Sequence, residues 1–229
     1  MSATKKISVI LPAFNEEQSI GLVLDDLPKE RLHQIIVVDN RSTDATAEVA
    51  RQHGATVVSE PRRGYGSACL RGIAALDPPD IVVFLDADYS DYPEEIDLLV
   101  KPIEANEQDF VLGSRMILKE SRKALLPQAR YGNQLAVFLI RLFFGYRFTD
   151  LGPFRAIRYA SLMEIGMRDT NFGWTVEMQI KVVKKKLRIL EVPVRYRWRV
   201  GVSKITGTVS GTFKAGTKII YTIFKYLLT

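Results

Sequence analysis

Residues 84–93 read FLDADYSDYP and follow directly on the apolar triplet IVV at 81–83. Apolar β-formers that end in acids and turn residues are typical of a buried strand that delivers carboxylates to its C-terminal end. Ligands of open α/β sheets bind at that edge of the sheet. The carboxylates of Asp86 and Asp88 would repel each other there, so such a pair is usually held by a cation, and hard oxygen ligands suit Mg²⁺ or Mn²⁺. The alternative is an acidic loop that caps the following helix, with Asp91 as the N-cap.

Strand and helix signals alternate through the first half of the chain. Strands are predicted at residues 7–11, 34–38, 55–59, 81–85 and 110–113, and helices at 16–27, 45–53, 65–76 and 94–105. The second half is less regular, with strands predicted at 154–157, 187–194 and 195–199 and helices at 134–144, 174–186 and 212–228. Strands that alternate with helices predict an α/β fold with a Rossmann-like, mostly parallel central sheet flanked by helices.

The composition is that of a globular protein with a basic surface. Of the 229 residues, 47% are hydrophobic and 25% are charged, and the formal net charge is +6. This charge favours anionic partners such as phosphates, nucleic acid or an acidic membrane surface. The single cysteine excludes an internal disulfide, and the first residues lack a signal-peptide pattern, so we expect a cytoplasmic location. Neither His33 nor His53 lies near another candidate catalytic group, so histidine catalysis is not expected.

Four loops fall at the predicted C-terminal edge of the sheet, one after each of the first four strands. They read LPAFNE at 11–16, DNRSTDAT at 39–46, EPRRGYG at 60–66 and DAD at 86–88. The C-terminal ends of parallel strands meet at one edge, where clefts form. All four loops therefore lie where a nucleotide-sugar site would need them.

In these motifs the sequence resembles the family 2 glycosyltransferases of the GT-A fold, and among them most of all the dolichyl- or polyprenyl-phosphate mannosyl- and glucosyltransferases. The resemblance covers nearly the whole chain, and its motifs are LPAFNEE, VVDNRSTDAT, GYGSACLRGI, DADYSDYPEEI, VLGSR, TDLGPFRAI, FGWTVEMQIK and EVPVRYRWRVGVSK. It implies a metal-dependent, inverting transfer of a hexose from a UDP- or GDP-linked sugar. It also implies a GT-A domain over residues 1–211, followed by a C-terminal amphipathic helix at 212–229.

The resemblance assigns donor-binding roles residue by residue. The residues that would contact the nucleotide sugar are Pro12, Phe14, Glu16, Asp39, Arg63, Gly64, Asp86, Ala87, Arg199, Ser203 and Lys204. The first four would hold the base and ribose, the glycine turn would let backbone approach the nucleotide, and the last three would act on the phosphates. The metal ligands would be Asp86, Asp88 and Ser90, with Asp91 as a substitute for Ser90. The family often reads DDGS where this chain has DNRS, so Asn40 replaces the second acid.

Catalytic roles are expected for Asp88, Arg115, Asp150 and Glu177. Arg115 follows the strand-like VLGS and resembles a position that binds an acceptor phosphate. Such an acceptor needs no general base, because a phosphate monoester is mostly dianionic at neutral pH. A hydroxyl acceptor would need one, and Asp150 and Glu177 are then the candidates, although each also fits a structural role as a turn cap or a polar helix residue.

Two amphipathic helices favour contact with a membrane surface. Residues 134–144 are apolar around Arg141 and are too short to span a bilayer, and the 212–228 helix has an apolar and a basic face. We therefore expect a protein peripheral to the cytoplasmic membrane face, with a polyprenyl-phosphate lipid as acceptor and a nucleotide sugar as donor. The alternative is that both helices pack on the sheet or form a homodimer interface.

Other functions remain open from the sequence alone. The same donor chemistry with a glycan or soluble hydroxyl acceptor is the first alternative, and a nucleotide-binding module without catalysis is the second. A nucleotidyltransferase is disfavoured, because those enzymes usually open with a glycine-rich, arginine-containing loop where this chain reads LPAFNEE. No nucleic acid partner is expected.

Overall fold

A seven-stranded sheet forms the centre of the protein in a computed structural model that describes residues 5–201 and 209–228. The strands are β1 (Ile7–Ala13), β2 (Gln34–Asp39), β3 (Thr56–Ser59), β4 (Ile81–Phe84), β5 (Phe110–Ser114), β6 (Arg155–Arg158) and β7 (Ile189–Pro193). Their order across the sheet is β3-β2-β1-β4-β6-β5-β7. Only β6 runs antiparallel to its neighbours β4 and β5 among these strands, so the predicted mostly parallel α/β sheet is confirmed.

Helices cover both faces of this sheet. They are α1 (Ile20–Asp26), α2 (Thr46–Gln52), α3 (Tyr65–Ala74), α4 (Ile96–Glu104), α5 (Lys119–Ala124), α6 (Pro127–Phe144), α7 (Tyr159–Ile165), α8 (Trp174–Lys184) and α9 (Val209–Leu227), with 3-10 turns at Lys29–Arg31 and Pro93–Glu95. Successive strand residues point to opposite faces, as β1 illustrates. Val9 and Leu11 pack with α1, α2 and α4, whereas Ile10 packs with α3, α6, α8 and α9.

Several local predictions differ from the structure. β1 continues through Pro12, which is tolerated because β4 pairs with β1 only as far as Ile10. Asp91 is not an N-cap, since its carboxylate makes no hydrogen bond among the described residues and Tyr92 precedes the 3-10 turn instead. Residues 195–199 form no strand beyond an isolated bridge to Asp91, and α5 and α7 were not predicted.

The C-terminal helix α9 packs on the domain along one side. It begins at Val209, before the predicted start at residue 212, and Ile223 is fully buried against the α6 and α8 layer. The rings of Phe143 in α6 and Phe224 in α9 lie 5.4 Å apart between centroids. Within residues 5–201 and 209–228, no helix combines the length and hydropathy needed to cross a bilayer.

Asp109, just before β5, binds Arg158 at the end of β6 and Arg188 just before β7. It therefore links three neighbouring strands of the sheet. Its carboxylate accepts hydrogen bonds from Arg188 Nε (2.9 Å) and Nη2 (2.7 Å) and from Arg158 Nε (3.3 Å). These donors, with Arg188 foremost, lower the pKa of Asp109 to about 2. Because the unfolded-state pKa is about 3.9, this stabilisation is present above about pH 4 and is lost as the pH falls towards about 2.

Asp109→Asn is therefore expected to lower the free energy of unfolding by about 1–2 kcal/mol at pH 7, after allowance for solvent screening. Urea denaturation at pH 7 and pH 3 measures the effect, and the gap between wild type and variant should narrow at the lower pH. Glu107→Gln, at an exposed side chain that makes no ion pair among the described residues, is the control and should change little. A difference in unfolding free energy that is the same at pH 7 and pH 3 would contradict the stabilisation assigned to the ionised Asp109.

Candidate active site

A cavity of about 290 Å³ opens at the C-terminal ends of β1, β2 and β4. β4 ends opposite Ile10 of β1, so the acidic residues that follow β4 lie beside the last residues of β1. The predicted donor-binding residues that line the cavity are Pro12, Phe14, Glu16, Arg63, Gly64, Asp86, Ala87 and Arg199, together with Asp88. Four loops far apart in sequence thus converge on one space, as parallel topology requires.

Three predicted donor contacts are not among the lining residues. Asp39 lies at the same sheet edge, but its Oδ1 accepts the backbone N–H of Ser42 at 3.0 Å, and its neighbour Asn40 lines the cavity instead. Ser203 and Lys204 lie outside the described residues. Conversely, the cavity includes residues that no prediction assigned to it, namely Asn171 and Phe172 before α8 and Ala68 in α3.

The two acids after β4 have different surroundings. Asp86 Oδ1 accepts the hydroxyl of Tyr65 at 3.0 Å, and burial, followed by the nearby Asp88 charge, raises the pKa of Asp86 to about 7. Asp88 Oδ1 accepts both the backbone N–H (2.9 Å) and the hydroxyl (2.5 Å) of Ser90. Ser90 is fully buried and is not a lining residue, so it supports Asp88 from behind. Only Asp88 Oδ2 is left for a charged partner on the cavity side.

Arg199 supplies that partner. Its Nη1 lies 3.1 Å from Asp88 Oδ2, and its Nη2 donates to Glu16 Oε1 at 2.7 Å. The guanidinium therefore bridges the loop after β1 to the loop after β4 and places a positive charge beside Asp88. A second cation at Asp88 Oδ2 therefore competes with this contact.

The acids fit a divalent cation whose shell is completed by substrate. Among the described residues, no three Asp, Glu, His or Cys side chains converge as a complete metal cage. Asp86 and Asp88 nevertheless offer hard oxygen atoms on the cavity wall. The buried Asp91 has a carboxylate without a hydrogen-bond partner in the described part of the chain, but it does not line the cavity. Burial and the Asp86 charge raise the pKa of Asp91 well above its ordinary value. Mg²⁺ and Mn²⁺ sites of this kind use one or two carboxylates together with water and phosphate oxygens.

Asn40 fixes the glycine turn that forms the opposite wall. Its Nδ2 donates to the carbonyls of Glu60 (3.0 Å) and Arg62 (2.7 Å), and its Oδ1 accepts the N–H of Gly64 at 2.8 Å. The sequence suggested that the glycines make room for a nucleotide. In the structure they make room for protein, because a Cβ at Gly64 would lie 2.2 Å from the carbonyl oxygen of Thr170.

Arg63, in the same turn, covers the ring of Phe14. Its guanidinium carbon lies 3.5 Å from the ring centroid, a cation–π distance. Both residues line the cavity, so one face of the Phe14 ring is in contact with a cation there.

The predicted acceptor residues lie away from the cavity lining. Arg115 forms a two-point ion pair with the fully buried Asp150, through Nε to Oδ2 and Nη2 to Oδ1, both at 2.8 Å. Glu177 is also fully buried and accepts the N–H groups of Arg168 and Asp169 and the hydroxyl of Tyr226. Both carboxylates are therefore saturated with donors, which fits a structural role and not that of a general base.

Asn40→Asp is expected to destabilise the protein by about 1–3 kcal/mol, because a carboxylate would face two carbonyl oxygens that the amide now satisfies. Chemical denaturation at pH 7 measures the loss. Gln18→Glu makes the same change of charge at an exposed position and should stay within about 0.5 kcal/mol of wild type. Equal stability of Asn40→Asp and wild type would show that the amide does not hold the glycine turn.

Comparison with known proteins identifies the family. The profile described as Glycosyl transferase family 2 matches residues 8–166. An uncharacterised glycosyltransferase of Mycobacterium tuberculosis is 35% identical over 91% of this chain and 94% of its own length. A dolichyl-phosphate hexose transferase of Haloferax volcanii is 31% identical over 90% of this chain and 89% of its own length.

Among solved structures, the chain resembles glucosyl-3-phosphoglycerate synthase of Mycobacterium tuberculosis in complex with Mn²⁺, UDP-glucose and phosphoglyceric acid. The TM-score is 0.79 and the identity 25%, with 98% of this chain and 80% of that chain covered. The GT-A-like architecture predicted from the sequence is confirmed by this match. With an acidic pair at the end of β4, a cavity beside it and a family profile that covers most of the sheet, the chain belongs to glycosyl transferase family 2 and is a nucleotide-sugar-dependent glycosyltransferase.

Proposed function

We propose that this glycosyltransferase inverts the anomeric centre of a hexose as it transfers the sugar from UDP or GDP to a polyprenyl-phosphate lipid. The observation that carries the donor half of the proposal is the acidic pair, Asp86 and Asp88, on the wall of a cavity that also contains Arg63 and Arg199. Carboxylates beside arginines suit a metal–diphosphate group. The carboxylates bind its cation and the arginines bind its phosphate oxygens, although the two charges nearly cancel. The mycobacterial synthase binds Mn²⁺ with UDP-glucose, which supports the same donor class here.

The residues of this chain prepare the donor site in defined ways. A divalent cation bound at Asp86 and Asp88 would act as a Lewis acid that stabilises the departing diphosphate. Ser90 orients Asp88 for this contact, and Tyr65 orients Asp86. Arg199, once released from Asp88, carries its charge at the same wall and is the cationic group we assign to the diphosphate.

For the acceptor, the lipid proposal rests on the exposed surface of α6. Tyr131, Leu135, Phe138 and Leu142 are 71%, 48%, 58% and 61% exposed and recur at spacings of four, three and four residues, so they form one apolar stripe. Arg141 is exposed beside it. An apolar stripe edged by basic side chains suits a helix that lies in the headgroup region of an anionic membrane.

A phosphate acceptor also agrees with the chemistry of the site. It needs no general base, and Asp150 and Glu177 are both buried and saturated with donors. We propose that Arg115, held by Asp150, meets the acceptor phosphate. The dolichyl-phosphate hexose transferase of Haloferax volcanii supports a lipid acceptor.

A second candidate keeps the donor but uses a water-soluble acceptor. It is favoured by the likeness to the mycobacterial synthase, whose structure contains phosphoglyceric acid. In that case the α6 stripe would have another use, such as a homodimer interface.

Asp88→Asn is expected to weaken Mn²⁺-dependent binding of UDP or GDP by at least about tenfold, because an amide cannot balance the charge of the cation. Calorimetric titration of each nucleotide with Mn²⁺ or with EDTA measures the effect. Asp77→Asn, at an exposed carboxylate, is the control and should bind like wild type. If wild type binds UDP and GDP as tightly in EDTA as it does with Mn²⁺, the metal proposal is wrong.

Phe138→Glu is expected to reduce sugar transfer to a long-chain polyprenyl phosphate in anionic vesicles by about tenfold, since it replaces an apolar membrane contact by a charge. Transfer to a short, water-soluble prenyl phosphate should stay within about twofold. Leu98→Glu, at a residue 46% exposed on α4, is the matched control and should alter neither rate.

Two outcomes would redirect the proposal. Label that passes only to phosphoglycerate or another water-soluble hydroxyl compound would support the second candidate and exclude the lipid acceptor. A dimer in light scattering that dissociates in Phe138→Glu, with normal transfer from vesicles, would assign the α6 stripe to a homodimer.

A further inference from the structure

The acidic loop, residues 86–91, is backed by a segment from the far end of the chain, residues 195–201, which we call the strap. The N–H of Arg197 donates to the carbonyl of Ser90 at 2.9 Å, and the N–H of Val200 donates to the carbonyl of Asp88 at 3.0 Å. A bridge between Asp91 and Tyr196 adds a further backbone pairing beside them. The first of these hydrogen bonds belongs to that bridge, so the strap holds the backbone of the acidic loop at the bridge and again at Asp88.

Arg197 holds the same loop with its side chain. Its guanidinium lies between two tyrosine rings, with its central carbon 3.4 Å from the centroid of Tyr89 and 4.1 Å from that of Tyr92. Its Nε donates to the carbonyl of Tyr89 at 2.7 Å. The carboxylate of Asp26 accepts the Tyr89 hydroxyl at 2.7 Å and lies 3.6 Å from Arg197 Nη2, which closes the cluster.

The residue that this cluster grips has an unusual backbone conformation. Tyr89 has φ +62°, in the left-handed region that a bulky side chain rarely adopts. Such a conformation persists only where the surroundings impose it. It turns the chain between Asp88 and Ser90, so that Ser90 binds Asp88 Oδ1 and leaves Oδ2 for the cavity.

We propose that Arg197 is a positioning residue for Asp88: it holds Tyr89 in the left-handed conformation and so aims the Asp88 carboxylate at the donor cation. Arg197 is not among the residues that line the cavity, and it acts through the loop backbone. The inference rests on the proposed function, in which Asp88 binds that cation. Lysine is a poor substitute, because only a planar guanidinium stacks between two rings while its Nε donates to a carbonyl.

The test compares Arg197→Gln and Arg197→Lys with wild type by calorimetric titration of UDP and GDP at several Mn²⁺ concentrations. Both variants should bind the nucleotide at least about tenfold more weakly at low Mn²⁺, and a high Mn²⁺ concentration should restore most of the affinity. Recovery with Mn²⁺ in a variant whose unfolding temperature without the metal matches that of wild type is the signature of a displaced metal ligand, because a metal that binds the folded state would also rescue a partly unfolded variant. Thermal unfolding of each variant is recorded alongside.

Arg195→Gln is the matched control. Arg195 lies in the same strap and stacks on Tyr92 at 4.1 Å, but its guanidinium pairs with Glu94 and Glu95 instead of the acidic loop. Its nucleotide affinity should stay within about twofold of wild type. A second measurement uses Tyr89→Gly, because glycine adopts φ +62° without strain. The loss of nucleotide affinity caused by Arg197→Gln should then be smaller in the Tyr89→Gly variant than in wild type.

The outcomes separate the inference from the proposed function. If wild type shows no Mn²⁺-dependent nucleotide binding, the proposed function fails and the inference fails with it. If wild type binds and the Arg197 variants match it within about twofold, only the positioning role is overturned. Loss of binding that high Mn²⁺ does not restore, accompanied by a lower unfolding temperature, also overturns the positioning role.

Discussion

The burial of three neighbouring carboxylic acids after β4 is the constraint on which the rest of the site depends. Asp86, Asp88 and Asp91 lie close together in a buried region, and burial, followed by repulsion from the neighbouring acids, raises the pKa values of Asp86 and Asp91. Two guanidinium groups contact the loop that carries these acids. Arg199 pairs directly with Asp88, and Arg197 grips the loop backbone without pairing with any of the three acids. A divalent cation would neutralise the cluster more completely than these side chains do.

The sheet topology explains why the answering groups come from so far along the chain. β6 enters the sheet antiparallel between β4 and β5, and β7 then pairs with β5 at the edge. The chain leaves β7 at the same side of the sheet as the acidic loop and passes along it as the strap. The loop before β6 delivers Asp150 to Arg115 by the same route. Because β6 is reversed, the loop before it lies at the same sheet edge as the ends of β4 and β7. Residues from the second half of the chain therefore reach the site formed by loops of the first half.

Most of the fold and part of the site were predictable from sequence, for a physical reason. Apolar runs mark strands, and the residues after parallel strands must meet at one edge, so the placement of Phe14 and Asp86 followed from local signals. Contacts between distant segments left no such signal. The Arg197 sandwich and the lining residue Asn171 depend on packing between segments about a hundred residues apart. The burial of Glu177 was also hidden, because a polar residue in a helix reads as exposed until its donors are known.

Donor binding in this site is best understood as an exchange of partners. Arg63 covers the ring of Phe14, where the proposed base would lie, and Arg199 occupies the carboxylate where the proposed cation would bind. Both arginines keep their positive charge when displaced, and both line the cavity in which the proposed diphosphate would lie. New hydrogen bonds to phosphate then replace the interactions that the arginines give up, which lowers the net cost of opening the site. Arg199 bridges Asp88 to Glu16, which lies in the proposed base-binding loop, so one guanidinium links the proposed positions of the cation and the base. Displacement of Arg199 by either ligand removes a contact that opposes the other, so nucleotide and metal should bind cooperatively.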